Sequence, residues 1–181
     1  MGNYPELDID AAHEAILDAI KAKFSAFETV ADYERQKESI KCPAVILDFE
    51  SIEKDGRDLG TEQLSVRIRW QLTLLLKFNT ANVQRVIRKL IAALCLFIDG
   101  NNFALPCNPC ALVGAYADTF DDGGYDAWRV DFEMKAVLGE TIWTDGDIVP
   151  SELGIMTSWA PEIGEAHKDD YEKVEDVSTF V

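Results

Sequence analysis

The stretch "LSVRIRWQLTLLLKF", Leu64 to Phe78, constrains this chain more than any other. Leu64, Val66, Ile68, Trp70, Leu72, Leu74, Leu76 and Phe78 fall on one side of a period of two. Ser65, Arg67, Arg69, Gln71, Thr73 and Lys77 fall on the other, with Leu75 the one exception. An apolar/polar alternation sustained this far predicts a β-strand with one buried and one wet face. Extended at ~3.3 Å per residue, the stretch would reach about 50 Å. A compact chain of 181 residues is only about 40 Å across.

A second stretch, "YDAWRVDFEMKAVL", repeats the pattern. Trp128, Val130, Phe132, Met134, Ala136 and Leu138 alternate with Arg129, Asp131, Glu133 and Lys135. The preceding "ALVGAYADTF" and the turn "DDGG" make it the second arm of a hairpin. Upstream, Pro43 introduces "AVILDFESI", apolar on both sides at first, as at the centre of a sheet. "EKDGRDLGTE" then predicts a long polar hairpin loop. A further β-prone piece lies around "FETVADY".

Two segments carry helical spacing instead. "DIDAAHEAILDAIKAKF" places Ile16, Leu17, Ile20, Phe24 and Phe27 on one face, with Asp8 or Asp10 as cap. His13 falls on its solvent side, where we expect an ordinary exposed histidine. "NTANVQRVIRKLIAALCLFIDGNN" carries Val83, Val86, Ile87, Leu90, Ile91, Leu94 and Phe97 as a stripe, with Asn79 or Thr80 as cap and Gly100 ending it. The order predicts an α+β domain over residues 1–142. One mixed, mostly antiparallel sheet of about five strands carries both helices on one face. Trp70, Trp128 and Phe132 then face the core, and Arg67 and Arg69 lie on the far side.

Beyond Gly139 the periodicity fades into an acidic extension, residues 143–181. The net charge is −16, and from Glu140 onward eleven acids face only Lys168 and Lys173. Nucleic-acid binding needs clustered cations, and the densest cluster is "RVIRK" (Arg85, Arg88, Lys89), so direct DNA or RNA binding is disfavoured. No apolar run reaches membrane-spanning length. "MGNYPELDID" resembles neither a secretory leader nor a myristoylation signal, so we expect a cytosolic origin without a membrane partner.

Cys107 and Cys110 form "CNPC", the spacing of a redox pair or half a zinc site. A redox pair needs a following helix to activate its first thiol, and here a strand follows. A zinc site needs two further ligands, for which only the isolated Cys42, Cys95, His13 and His167 are candidates. "DTFDDGGYDAWR" does not fit a calcium-loop register, and no phosphate loop, dinucleotide fingerprint or nucleophile elbow occurs. We expect no enzyme, no cofactor and no metal. The alternatives are a metal- or thiol-dependent enzyme using Cys107 and Cys110, or an acidic bacterial adaptor that binds a basic partner.

In order along the chain, "ADYERQ", "PAVILDFESIE", "LGTEQLSVRIRWQLTLLL", "VIRKLIAALCLFIDGNNF", "GAYADTF" and "DAWRVDFEMKAVLG" resemble the tail terminator (minor tail) proteins of long-tailed bacteriophages and prophages, nearest the Mu-like group. The resemblance spans roughly residues 10–142 and rests on an order of elements rather than a sharp motif. It implies a ring, typically of six subunits, that caps the tail tube, ends its polymerisation and offers a surface to the head–tail connector protein. Its partners would be itself, the tail tube protein and that connector. Its location would be the virion tail, after assembly in the host bacterial cytoplasm. Such proteins have no catalytic residues to carry over. The acidic extension departs from their compact form.

Under that resemblance the overlong strand is expected to overshoot its own core and pack on a neighbour, unless a bulge or strong coil folds it back. The sign-mixed face is then the expected subunit interface, with Arg67, Arg69, Lys77, Asp131 and Glu133 as its contacts. Asp55, Arg57 and Asp58, with Gly56, would tip a loop toward the tube.

Overall fold

The computed structural model describes residues 5–32, 40–119 and 124–141, together with two short strands, Met156–Thr157 and Glu172–Lys173. The chain divides into two compact units, Met1–Ile142 and Trp143–Val181. In the first, helix α1 (Ile9–Lys23) precedes strands β1 (Thr29–Asp32), β2 (Ala44–Asp58) and β3 (Leu64–Lys77). Helix α2 (Val83–Ile98) follows, then β4 (Ala111–Asp118) and β5 (Tyr125–Leu138). The five strands form one mixed sheet in the order β1-β2-β3-β5-β4, with β1 parallel to β2 and every other pair antiparallel. This is the α+β architecture expected. In the second unit β6 (Met156–Thr157) pairs antiparallel with β7 (Glu172–Lys173). The rest of the acidic extension, with His167, lies outside the described residues, as does the "DDGG" turn at residues 121–124 apart from Gly124.

Both helices bury their apolar faces against the same side of the sheet. Ala12, Ile16, Leu17 and Ile20 of α1 and Ile87, Ile91, Leu94 and Ile98 of α2 join Val66, Ile68, Trp70, Leu72, Leu74, Leu76, Val130, Phe132 and Met134 in one core. Trp70 and Phe132 are wholly buried and sit opposite each other across β3 and β5. The alternation therefore fixes the register, since a slip of one residue would exchange Trp70 for Arg69. Asp8 caps α1 by accepting from the Asp10 and Ala11 amides at 2.9 and 3.0 Å. The start of α2 differs from the expectation. Neither Asn79 nor Thr80 caps it; Asn82 does so in a left-handed conformation (φ 54°) with no side-chain cap bond. Asn tolerates that conformation, and the helix starts two or three residues later than expected.

Strand β3 does not overshoot. All fourteen of its residues pair with β5, from Leu64 opposite Leu138 to Lys77 opposite Tyr125. On its other side β2 runs alongside from Ala44 to Asp58. The long strand is accommodated by two partners of its own length, and the expected overhang onto a neighbour is absent. Bulges occur, but in β2, between Phe49 and Ser51 and between Lys54 and Asp58. The second absorbs much of the predicted loop. β2 continues through Asp55, Gly56, Arg57 and Asp58, and only Leu59–Gln63 remain as a connection. Gly56 supplies the positive φ (74°) that the bulge requires.

Candidate functional site

The sheet face away from the helices has two parts. At one end Ile40, Ala44, Ile46, Leu75 and Ala127 form a small apolar cluster flanked by Cys42 and Tyr125. Leu75, the residue that broke the alternation, is fully buried there. Ala44 and Ala127 lie opposite it on the strands to either side, and Ile40 is the only member outside the sheet. Lys77 ends β3 beyond this cluster, exposed and opposite Tyr125.

The rest of the face is a charged ladder. Pairing of β3 with β5 sets Arg67 opposite Lys135, Arg69 opposite Glu133, Gln71 opposite Asp131 and Thr73 opposite Arg129. Arg67 and Lys135 would repel across the strands. Asp55 resolves this from the β2 bulge. Its carboxylate lies 3.3 Å from Arg67 Nη2 and 2.9 Å from Lys135 Nζ. The hydrogen bond from Lys135 is the first cause holding Asp55 below the usual carboxylate range, with Arg67 adding to it. Glu133 bridges the two arginines, 3.8 Å from Arg67 Nε and 3.8 Å from Arg69 Nη2.

Asp131 sits differently. It is 5% exposed, and its Oδ1 lies 3.1 Å from Arg129 Nε. That contact is not aligned as a hydrogen bond, so both atoms stay buried without one. Burial pushes the Asp131 carboxyl up, and Arg129 only partly opposes this. Arg129 in turn lies 5.8 Å from the Tyr116 ring centroid. A bulge in β4 between Leu112 and Gly114 lets that ring fold back: a Cβ at Gly114 would collide with Tyr116.

The structure thus brings Arg67, Arg69, Asp131 and Glu133 together and separates Lys77 from them. It adds Asp55, Arg129 and Lys135 to the set, and Asp55 reaches over the sheet instead of tipping a loop. Arg57 and Asp58 lie in the strand, where Asp58 is paired opposite Leu64. The signal for Asp55 was present in part: two cations opposed across β3 and β5, Arg67 and Lys135, call for an anion. What the sequence lacked was the bulge that delivers it.

The cysteines do not form a reactive centre of the activated kind. Cys107 and Cys110 lie in an extended segment, with Cys107 bridged to Ala136 and Cys110 N–H donating to Asn101 O at 2.8 Å. Burial raises the thiol pKa of Cys107, and of Cys110 to about 12, whereas a redox nucleophile needs the reverse. Cys42 and Cys95 are raised for the same first cause, and all four are free thiols. Among the described residues no three His, Cys, Asp or Glu side chains converge on a metal position. A cleft of about 280 Å³ opens beside Cys107, but its facing charges, Asp55 and Lys135, are paired with each other.

His13 is not the exposed residue expected. Its ring packs edge-on against Trp70 at 5.5 Å, and Nε2 lies 3.3 Å from Asp32 of β1. Only 17% of the side chain is accessible, because α1 lies close enough to the sheet to press its first turn onto β3. Among the described residues no helix is long and apolar enough to cross a membrane. The chain matches no protein-family model and no curated protein.

Proposed function

We propose that this chain is a structural protein of a bacteriophage or prophage tail, acting as a terminator: a ring of copies that caps the tail tube, stops its polymerisation and receives the head–tail connector. The observation that carries this reading is the ordered set of segments from "ADYERQ" to "DAWRVDFEMKAVLG". From "PAVILDFESIE" onward the segments lie in order on β2, β3, α2, β4 and β5, and of "ADYERQ" the described residues are Ala31 and Asp32, at the end of β1. The terminator works through surfaces: one ring face toward the tube protein, the other toward the connector, and contacts between copies. In this reading the subunit needs a stiff body. A sheet whose central β3–β5 seam is unbroken over fourteen pairs, braced by helices on one side and by ion pairs on the other, supplies one.

The deciding experiment is genetic. Removal of the gene from a phage or induced prophage should give tails of uncontrolled length without heads, restored by the gene in trans. Tails of normal length with heads attached would overturn the reading. Neighbouring genes for tube, sheath and tape-measure proteins are the expected context.

A further inference from the structure

α2 is the odd helix of this molecule. In a chain with net charge −16, it carries Arg85, Arg88 and Lys89 and not one acid. Arg85 sits in the first turn, where the helix dipole is positive, so it opposes the helix that bears it, and Arg88 and Lys89 follow in the second turn. Arg88 turns back, its Nε donating to Gln84 O at 2.7 Å. Among the described residues none of the three has an ion-pair partner, whereas Arg67, Arg69, Arg129 and Lys135 of the sheet all do. Arg85, Lys89, Ala92 and Leu96 make one outward stripe, opposite the buried Ile87, Ile91, Leu94 and Ile98, and Leu96 is 82% exposed.

α1 carries the complement. Asp10, Glu14 and Asp18 form an outward stripe opposite Ala12, Ile16 and Ile20. Asp18 pairs with Lys21 at 3.3 Å, while Asp10 and Glu14 have no ion-pair partner among the described residues. Asp10 and Glu14 are four residues apart, as are Arg85 and Lys89, so each pair of charges is separated by about 6 Å along its helix. Both helices press their inner faces into one core on one side of the sheet, so both stripes point the same way.

We propose that two copies of this chain meet helix layer to helix layer, with Arg85 and Lys89 of one copy against Asp10 and Glu14 of the other. Because both stripes face outward on the same side, the contact forms twice about a two-fold axis, as an isologous interface requires. Leu96 is covered in the same step. Ring neighbours meet through two unlike patches, so this two-fold dimer is a separate association of the free subunit. The contact does not depend on the tail reading.

Charge swapping tests it, read by sedimentation velocity over micromolar to submillimolar protein. The wild type should show a monomer–dimer equilibrium. Arg85→Glu with Lys89→Glu makes the net charge more negative, and Asp10→Lys with Glu14→Lys makes it less so. General self-repulsion would weaken association in the first and strengthen it in the second. The proposed contact instead requires both to weaken it, by at least about tenfold, since several exposed charge pairs are lost together. All four substitutions combined restore the wild-type net charge and should restore the dimer to within about threefold. Circular dichroism checks folding. If the Asp10→Lys variant fails it, Glu14→Lys with Lys89→Glu repeats the swap beyond the first turn of α1. A wild type that stays monomeric, opposite effects of the two reversals, or a combined variant that stays dissociated overturns the contact. Tail length, scored separately in the complementation assay, judges the ring.

Discussion

The two faces of the sheet are built on opposite principles. On the helix side, side chains from Val66 to Leu76 and from Trp128 to Met134 lie in a continuous apolar layer covered by α1 and α2. On the other side, beyond the small Leu75 cluster, charged side chains dominate, and most of them are opposed by a charge on the same copy. Burial is non-directional and tolerates approximate shapes; charge on a half-exposed face works only if each partner is placed. The contrast shows where the strand register comes from. The apolar face selects it, and the ladder follows from it.

The difference can be broken most severely from the helix side. Phe132→Ala should cost about 3–5 kcal/mol in urea unfolding, because a wholly buried ring leaves a cavity between two long strands. Leu75→Ala tests the outer apolar cluster. It should cost about 2–3 kcal/mol despite lying on the polar face, since Leu75 is fully buried. A value near zero would show that the cluster around Ile40 contributes nothing to folding. Arg67→Glu with Arg69→Glu sets new carboxylates beside Asp55 and Glu133. It should cost only about 1–2 kcal/mol and leave a folded protein, because both side chains are a third exposed and screened. Were this pair also the ring contact, tail length would fail without loss of fold.

The smallest effects sharpen the comparison within the ladder itself, through pH. Asp55 is held below its usual range, so its stabilising contribution is present above the ordinary carboxylate pKa. It is lost as pH falls through the lowered value. Asp131 is raised by burial, so its contribution is present in acid and is lost as pH rises through the raised value. Between about pH 2 and 6, Asp55→Asn should therefore reduce the acid loss of stability, and Asp131→Asn should steepen it. Changes from the wild-type slope in the same direction for both variants would show that the two carboxylates share one environment.

Much of this fold was legible because its longest elements have the cleanest periods. Trp70, Phe132 and the helix stripes needed no tertiary information. The errors have local causes. The loop at residues 53–62 reads as polar turn chemistry, yet Gly56 is a bulge glycine inside a strand. Asn82, not Asn79 or Thr80, starts α2, because a left-handed cap leaves no capping signature. His13 is polar by type but is claimed by Trp70, a contact that exists only once α1 lies on the sheet. The charged site was half legible: its β3 and β5 members follow from the alternation, whereas Asp55 depends on a bulge that composition does not announce.

The neighbour of β3 across the sheet centre is β5, although α2 and β4 intervene along the chain. The hairpin of β2 with β3 and that of β4 with β5 can each close locally. Joining them is another matter. It requires closing roughly fifty residues, at an entropic cost of about 3 kcal/mol before any contact between the halves forms. Of the pairings in the sheet, this seam spans the long α2–β4 excursion, and nonlocal pairing of this kind forms slowly. Until it zips, Leu72, Leu74, Val130 and Phe132 lack their partners across it. Uncovered strands are prone to pair with other chains at high expression, so the ladder's many charges also guard one side of the seam whenever it is open.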